Sequence, residues 1–201
     1  TNVLRNGDGR DANVTAFDLA IYDKKNAHAL KGTIRYSKVW GTDPFDGYNA
    51  TLNFGKVSGN WQYNLSGDVL SKKYDPNDLG ILLAPNKVTY KGNLVYTQFN
   101  PTNTFITYSY GLTPKLQYLC EPYAYSKFDI TGTAFLVFKN FWDITFTANI
   151  APGWEHNYFE LRTDGRYLSY PTNFGFGLDG SSDSRNKFFF RYAGKYAKAS
   201  K

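Results

Sequence analysis

Methionine is absent from the 201 residues, cysteine occurs once and histidine twice. The single Cys120 cannot close an internal disulfide, and with no CxxC pair or neighbouring histidine it offers no zinc site. It reads as a half-buried thiol rather than a nucleophile. No run of 18 apolar residues exists, which excludes a helical membrane span. That absence does not touch membrane β-barrels, whose strands need only alternate positions apolar. The opening stretch TNVLRNGDGRDAN has no apolar core of the kind an export signal carries. Blocks of like charge are missing too. Lys and Arg stand singly among acids, so the net charge of +6 forms no basic stripe, and nucleic acid is not an expected partner. Neither GxSxG, HExxH nor a Gly-rich phosphate loop occurs.

What is abundant is aromatic: 17 Tyr and 16 Phe in a chain that is 18% aromatic, a composition that favours β-structure. The period is two almost throughout. Leu30, Gly32, Ile34 and Tyr36 alternate with Lys31, Thr33, Arg35 and Ser37, and Trp61, Tyr63, Leu65 and Val69 with Gln62, Asn64, Ser66 and Asp68. Tyr90, Leu94 and Tyr96 oppose Lys91 and Asn93; Phe190, Tyr192 and Tyr196 oppose Arg191 and Lys195. Nine strands are expected, near 13–22, 28–40, 48–56, 61–70, 88–98, 104–118, 125–138, 143–151 and 187–197.

Short turns at 23–27, 56–60, 99–103 and 139–142 alternate with longer links at 41–47, 71–86, 120–126 and 151–186. Short on one side and long on the other is the pattern of an outer-membrane barrel, with tight periplasmic turns and extended outer loops. Strands of about ten residues suit the hydrocarbon thickness at a tilt near 45°. Aromatics at strand ends, Trp61 and Trp142 beside short turns and Tyr36, Trp40 and Tyr48 at the other end, suit two interfacial girdles. A lysine or arginine at the lipid midplane costs about 2–4 kcal/mol. Lys31, Arg35, Asp68, Lys91, Arg191 and Lys195 are therefore expected to face a lumen. Since bacterial single-chain barrels have even strand numbers, nine strands imply that residues 1–201 are one barrel portion of a longer polypeptide.

Chemistry-bearing clusters are weak. In NGDGRDAN, Asn6, Asp8 and Gly9 fit the third, fifth and sixth positions of a calcium loop, but Leu4 and Thr15 stand where it needs an aspartate and a bidentate acid. In YDPNDLG, Asp75 and Asp78 have no further acid until Glu121, and Pro76 and Gly80 suit a turn at the rim of an outward loop. Glu155, His156, Glu160, Asp164 and Asp183 are candidates for a hydrolytic carboxylate pair, although Glu160 with Arg162 and Asp183 with Arg185 read better as loop-ordering ion pairs. No enzyme activity, metal or cofactor is expected.

Three segments, GNWQYNLSGDVLSKKYDPNDLGIL (59–82), NYFELRTDGRYLSYP (157–171) and SSDSRNKFFF (181–190), occur in this order and at about the family's spacing. They resemble the C-terminal barrel region of a family of Bacteroidetes outer-membrane proteins in which a carbohydrate-binding module similar to family 9 precedes a large domain of unknown function. The resemblance marks Asn77, Asp78, Leu79, Gly80, Glu160, Arg162, Asp183 and Arg185 as signature positions without catalytic roles. It implies an outer-membrane location and, by analogy, a link to glycan handling. The expectation is an all-β, antiparallel up-and-down transmembrane barrel serving as a solute pore or receptor, in contact with the lipid bilayer and lipopolysaccharide. The alternatives are a non-conducting anchor or assembly partner of other outer-membrane proteins, and a soluble carbohydrate-binding module.

Overall fold

The computed structural model describes residues 2–6, 11–76, 84–159, 161, 163 and 165–200. Every regular element among them is a strand: β1 Asn2–Arg5, β2 Asp11–Tyr22, β3 His28–Trp40, β4 Phe45–Lys56, β5 Trp61–Leu70, β6 Lys87–Gln98, β7 Phe105–Leu119, β8 Ala124–Phe138, β9 Asp143–Ala151, β10 Glu155–Asn157, β11 Leu168–Tyr170, β12 Asn173–Ser181 and β13 Arg191–Ala199. Eleven of them form one antiparallel up-and-down sheet in chain order, β1 to β9 followed by β12 and β13. β10 and β11 make a separate two-stranded ribbon between β9 and β12, beside β8.

The expected nine strands are thus corrected. Eight recur within a few residues, but the long link 151–186 contains β12, which pairs with β9 from Asn173↔Ala151 to Ser181↔Asp143. The last strand starts at Arg191 rather than 187, because Ser181 is its first partner and residues 182–190 are needed to turn the chain. The loop-length contrast is also smaller than expected: with β4 beginning at Phe45 and β8 at Ala124, two of the supposedly long links shrink to 41–44 and 120–123. Only 71–86 and 152–172 stay long. The sheet of described residues is not closed. It ends at β1 on one side and β13 on the other.

Turn chemistry explains the tight connections. Asp23 accepts hydrogen bonds from the amides of Ala27 and His28, at 2.6 and 3.0 Å, while Asn26 takes a left-handed φ of 52°. These amide donors lower the Asp23 pKa, that of His28 first. Within the sheet, Pro114 has no N–H to give the β6–β7 ladder, and the register skips from Lys91↔Lys115 to Leu94↔Leu112. Gly92 makes room for its ring, since a Cβ there would lie 3.2 Å from Pro114 Cγ.

Directly opposed residues share a face, so the registers extend each strand's alternation across the whole sheet. One face carries Phe17, Leu19, Ile34, Leu52, Leu65, Leu94, Leu112, Phe146 and Phe176, all exposed. The other carries Lys, Arg, Asp, Asn, Thr and Ser. Burial is concentrated on this polar face at the long-link end, at Ala12, Val14, Ser37, Val39, Asn49 and Leu70, and there the start of the link after β5 crosses over Gly47 and Ser37.

Candidate functional site on the polar face

All six charged residues expected on one side, Lys31, Arg35, Asp68, Lys91, Arg191 and Lys195, share the polar face by register. A side-chain network crosses β3, β4 and β5. Arg35 Nη1 donates to Asn49 Oδ1 at 2.7 Å, and Asn49 Nδ2 donates to Asp68 Oδ1 at 3.1 Å. Thr51 Oγ1 donates to the same Asp68 oxygen at 2.8 Å. These residues are directly opposed pairs, Arg35 with Asn49 and Thr51 with Asp68, which is why the network closes without distorting the strands.

The segment after β5 folds over this network. Ser71 extends the β4 ladder, with its amide donating to Tyr48 O at 2.9 Å and its hydroxyl accepting from Tyr48 N at 2.8 Å. Asp75 N then donates to Ser37 Oγ at 3.1 Å, and Ser37 is 1% exposed. Between them Tyr74 is buried, and Arg35 and Asp68 both act electrostatically on it. Burial pushes the Tyr74 hydroxyl pKa up, partly opposed by Arg35. The expectation of an outward rim therefore needs correcting for its first residues. Tyr74 turns inward, because the glycine at 47 lets the chain cross directly above it. Asn77, Asp78, Leu79 and Gly80 lie outside the described residues.

On the next strands hydroxyl and amide pairs repeat the pattern. Thr113 Oγ1 donates to Asn93 Oδ1 at 2.9 Å, Gln117 Nε2 to Thr89 Oγ1 at 3.2 Å and Thr131 Oγ1 to Asn149 Oδ1 at 2.8 Å. Among them stand Lys87, Lys91, Lys115 and Lys127, with Lys127 Nζ 3.1 Å from Asp129 Oδ2. Sequence reading missed Tyr74, Lys115 and Lys127. Alternation from Asp129 would have found Lys127, and Lys115 needed the β6–β7 register.

The remaining sequence candidates separate. Glu155 and His156 belong to β10 at the long-link end, whereas Asp183 lies in the link 182–190 at the other end, so they form no common site. Glu160, Arg162 and Asp164 lie outside the described residues. Asp183 and Arg185 do meet: Arg185 Nε and Nη2 donate to the two carboxylate oxygens at 2.9 and 2.7 Å, and the Arg185 amide adds a third bond at 3.0 Å. The guanidinium lies 3.3 Å from the Phe141 ring centroid. Arg185 holds the Asp183 pKa down at about 2. Burial, with Glu121 adding to it, pushes the Cys120 thiol up, which makes it a poorer nucleophile.

Of the interfacial aromatics, Tyr36, Trp40, Tyr48 and Trp61 are on the apolar face, with Tyr36 directly opposite Tyr48. Trp61 packs on Tyr96 at 5.0 Å, and the chain of rings continues through Tyr108 and Phe105 to Phe138. A bulge at Phe105–Thr107 places Phe105 opposite Phe138 and so on that face. Trp142 meets Phe190 edge-on at 5.2 Å. At the long-link end, Tyr118 stacks on Tyr123 at 4.7 Å and His156 on Tyr167 at 4.2 Å.

Fold and face together define an all-β, antiparallel, up-and-down sheet protein with one apolar exposed face and one hydrogen-bonded polar face. The chain belongs to the DUF5916 family, a domain of unknown function, whose model matches residues 1–201. No curated protein and no solved structure matches it.

Proposed function

We propose that the sheet is a portion of a transmembrane β-barrel of the bacterial outer membrane, with its apolar face on lipid and its polar face lining a lumen that binds or passes a solute. The observation that carries this reading is the exposed apolar face, continuous from Phe17 on β2 to Phe176 on β12. Water does not tolerate such a surface on a monomer, and lipid does. Two aromatic bands at the strand ends support it, as do strands of 9 to 15 residues between them, long enough for a tilted crossing. The free edges of β1 and β13 are where further strands would complete closure. Lipid and lipopolysaccharide are then the partners of the apolar face. The Bacteroidetes origin and the glycan link implied by the sequence resemblance belong to this same proposal.

Reconstitution of the full-length protein in planar bilayers tests the reading. Stable open conductance, with quenching of Trp61 fluorescence by bromine-labelled lipid, is expected. A protein that stays monomeric without detergent and shows no quenching is instead a soluble β-sheet module.

One observation favours a second form of the same barrel. The segment around Tyr74 lies over the Arg35–Asp68 network, as an inward-folded constriction would. Quenched Trp61 without conductance identifies a plugged anchor or assembly partner for other outer-membrane proteins.

A further inference from the structure

The polar face holds a concentration of cations that the hydrogen-bond networks do not use. Lys91 and Lys115 are directly opposed on β6 and β7. Like charges in that relation destabilise a sheet, because the two Cβ atoms stand only about 5 Å apart. Lys87 and Lys127 also act on Lys115. Asp129 is the acid opposite Lys115, and Lys127 engages it at 3.1 Å. Among the described residues neither Lys91 nor Lys115 has an ion-pair partner of its own.

Lys91 and Lys115 open onto a recess of about 300 Å³, lined also by Thr113, Asp129, Thr131 and Asn149. The Asn149 amide carbonyl is occupied. Asn149 accepts the Thr131 hydroxyl through Oδ1, which leaves its Nδ2 hydrogens to offer. A recess with two ammonium groups and amide N–H donors, whose carboxylate is already paired, is chemically complementary to an anion.

We propose that this recess binds a small oxyanion, free or as the charged group of a larger solute, bridged between Lys91 and Lys115. An oxyanion supplies the counter-charge that the opposed lysines lack and accepts several charge-assisted hydrogen bonds at once. The inference names the class of solute for the barrel proposed above and so rests on that reading. Binding is measured without conductance, so that a closed barrel and an absent site give different results.

Inorganic phosphate is titrated into the full-length protein in detergent by calorimetry, at constant ionic strength set with chloride. Saturable binding is expected, weakened at least tenfold in Lys91→Gln and in Lys115→Gln and unchanged in Lys139→Gln, which lies in a short turn. Absence of saturable binding to the unaltered protein overturns the proposal, as does binding by the two recess variants as tight as that of the unaltered protein. Should either variant fail to fold, the unaltered protein decides. Phosphate must raise its Tm above the value in chloride of equal ionic strength, and equal Tm values overturn the site.

Discussion

Gly47 lies directly beneath the backbone of Tyr74: a Cβ at position 47 would collide with the amide nitrogen and Cα of Tyr74 and the carbonyl carbon of Lys73. Backbone cannot step aside as a flexible side chain can. Gly47→Val is therefore expected to lift residues 71–76 off the polar face at a cost of about 1–3 kcal/mol, the usual range for overpacking. Trypsin cleavage after Lys72 and Lys73 reports it directly. The cleavage rate should rise several-fold in the variant, and an unchanged rate means that the segment does not need the glycine. If the barrel conducts, the same variant should conduct more.

The Asp183–Arg185 pair gives a pH dependence with a definite sign. The folded-state carboxyl titrates at about 2, below its ordinary 3.8, so folding favours the ionised form. The contribution is complete above about pH 4 and is lost as pH falls through about 2. Trp142 packs on Phe190, whose amide donates to Ser182 Oγ at 3.0 Å beside the pair, and so its fluorescence should register the loss. A transition between pH 4 and 2 is expected that Asp183→Asn lacks. A transition of the same size in both proteins assigns it to other groups.

How much could be read in advance depended on whether the information was local. Alternation at Lys31 to Ser37 or at Trp61 to Val69 is a property of the strand itself, and those strands and faces were legible. β12 was not, although Phe174, Phe176 and Leu178 alternate with Gly175, Gly177 and Asp179. Three glycines between 175 and 180 weaken its strand signal, and pairing with β9 and β13 on both sides overrides that weakness. Tyr74 belongs to the same category. Nothing in YDP announces an inward turn, because its cause is Gly47, 27 residues earlier in the chain. Lys91 and Lys115 likewise meet only through register, which a single strand does not contain.

At the long-link end, the β10–β11 ribbon is held by rings and hydrogen bonds. His156 stacks on Tyr167 at 4.2 Å and meets Tyr125 edge-on at 5.8 Å. Ser126 Oγ donates to His156 O at 3.1 Å, and Tyr158 Oη to Tyr125 O at 3.2 Å. Tyr167→Leu retains apolar bulk and removes the stack, at about 0.5–1.5 kcal/mol. Amide exchange at Glu155 to Asn157 should accelerate roughly tenfold while that of β8 stays as it was. Equal acceleration in both would make the ribbon part of the sheet's own cooperative unit.

The lipid assignment of the apolar face can be tested with two neighbouring residues. Thr147 and Ala148 are adjacent on β9, yet Thr147 is directly opposite Thr133 and Gly177 on the polar face, and Ala148 is opposite Gly132 and Phe176 on the apolar one. Position along the strand, local propensity and loop connections are therefore nearly the same for both. Only the face differs. A lysine at a lipid-facing midplane position costs about 2–4 kcal/mol, and one facing an aqueous lumen costs little. Ala148→Lys should lower the free energy of folding into phosphatidylcholine vesicles, read from denaturant titration, by that amount and so lower the midpoint, with Thr147→Lys close to the unaltered protein. Equal midpoints would mean that both faces meet the same solvent, and the apolar face would then need a protein partner rather than a bilayer.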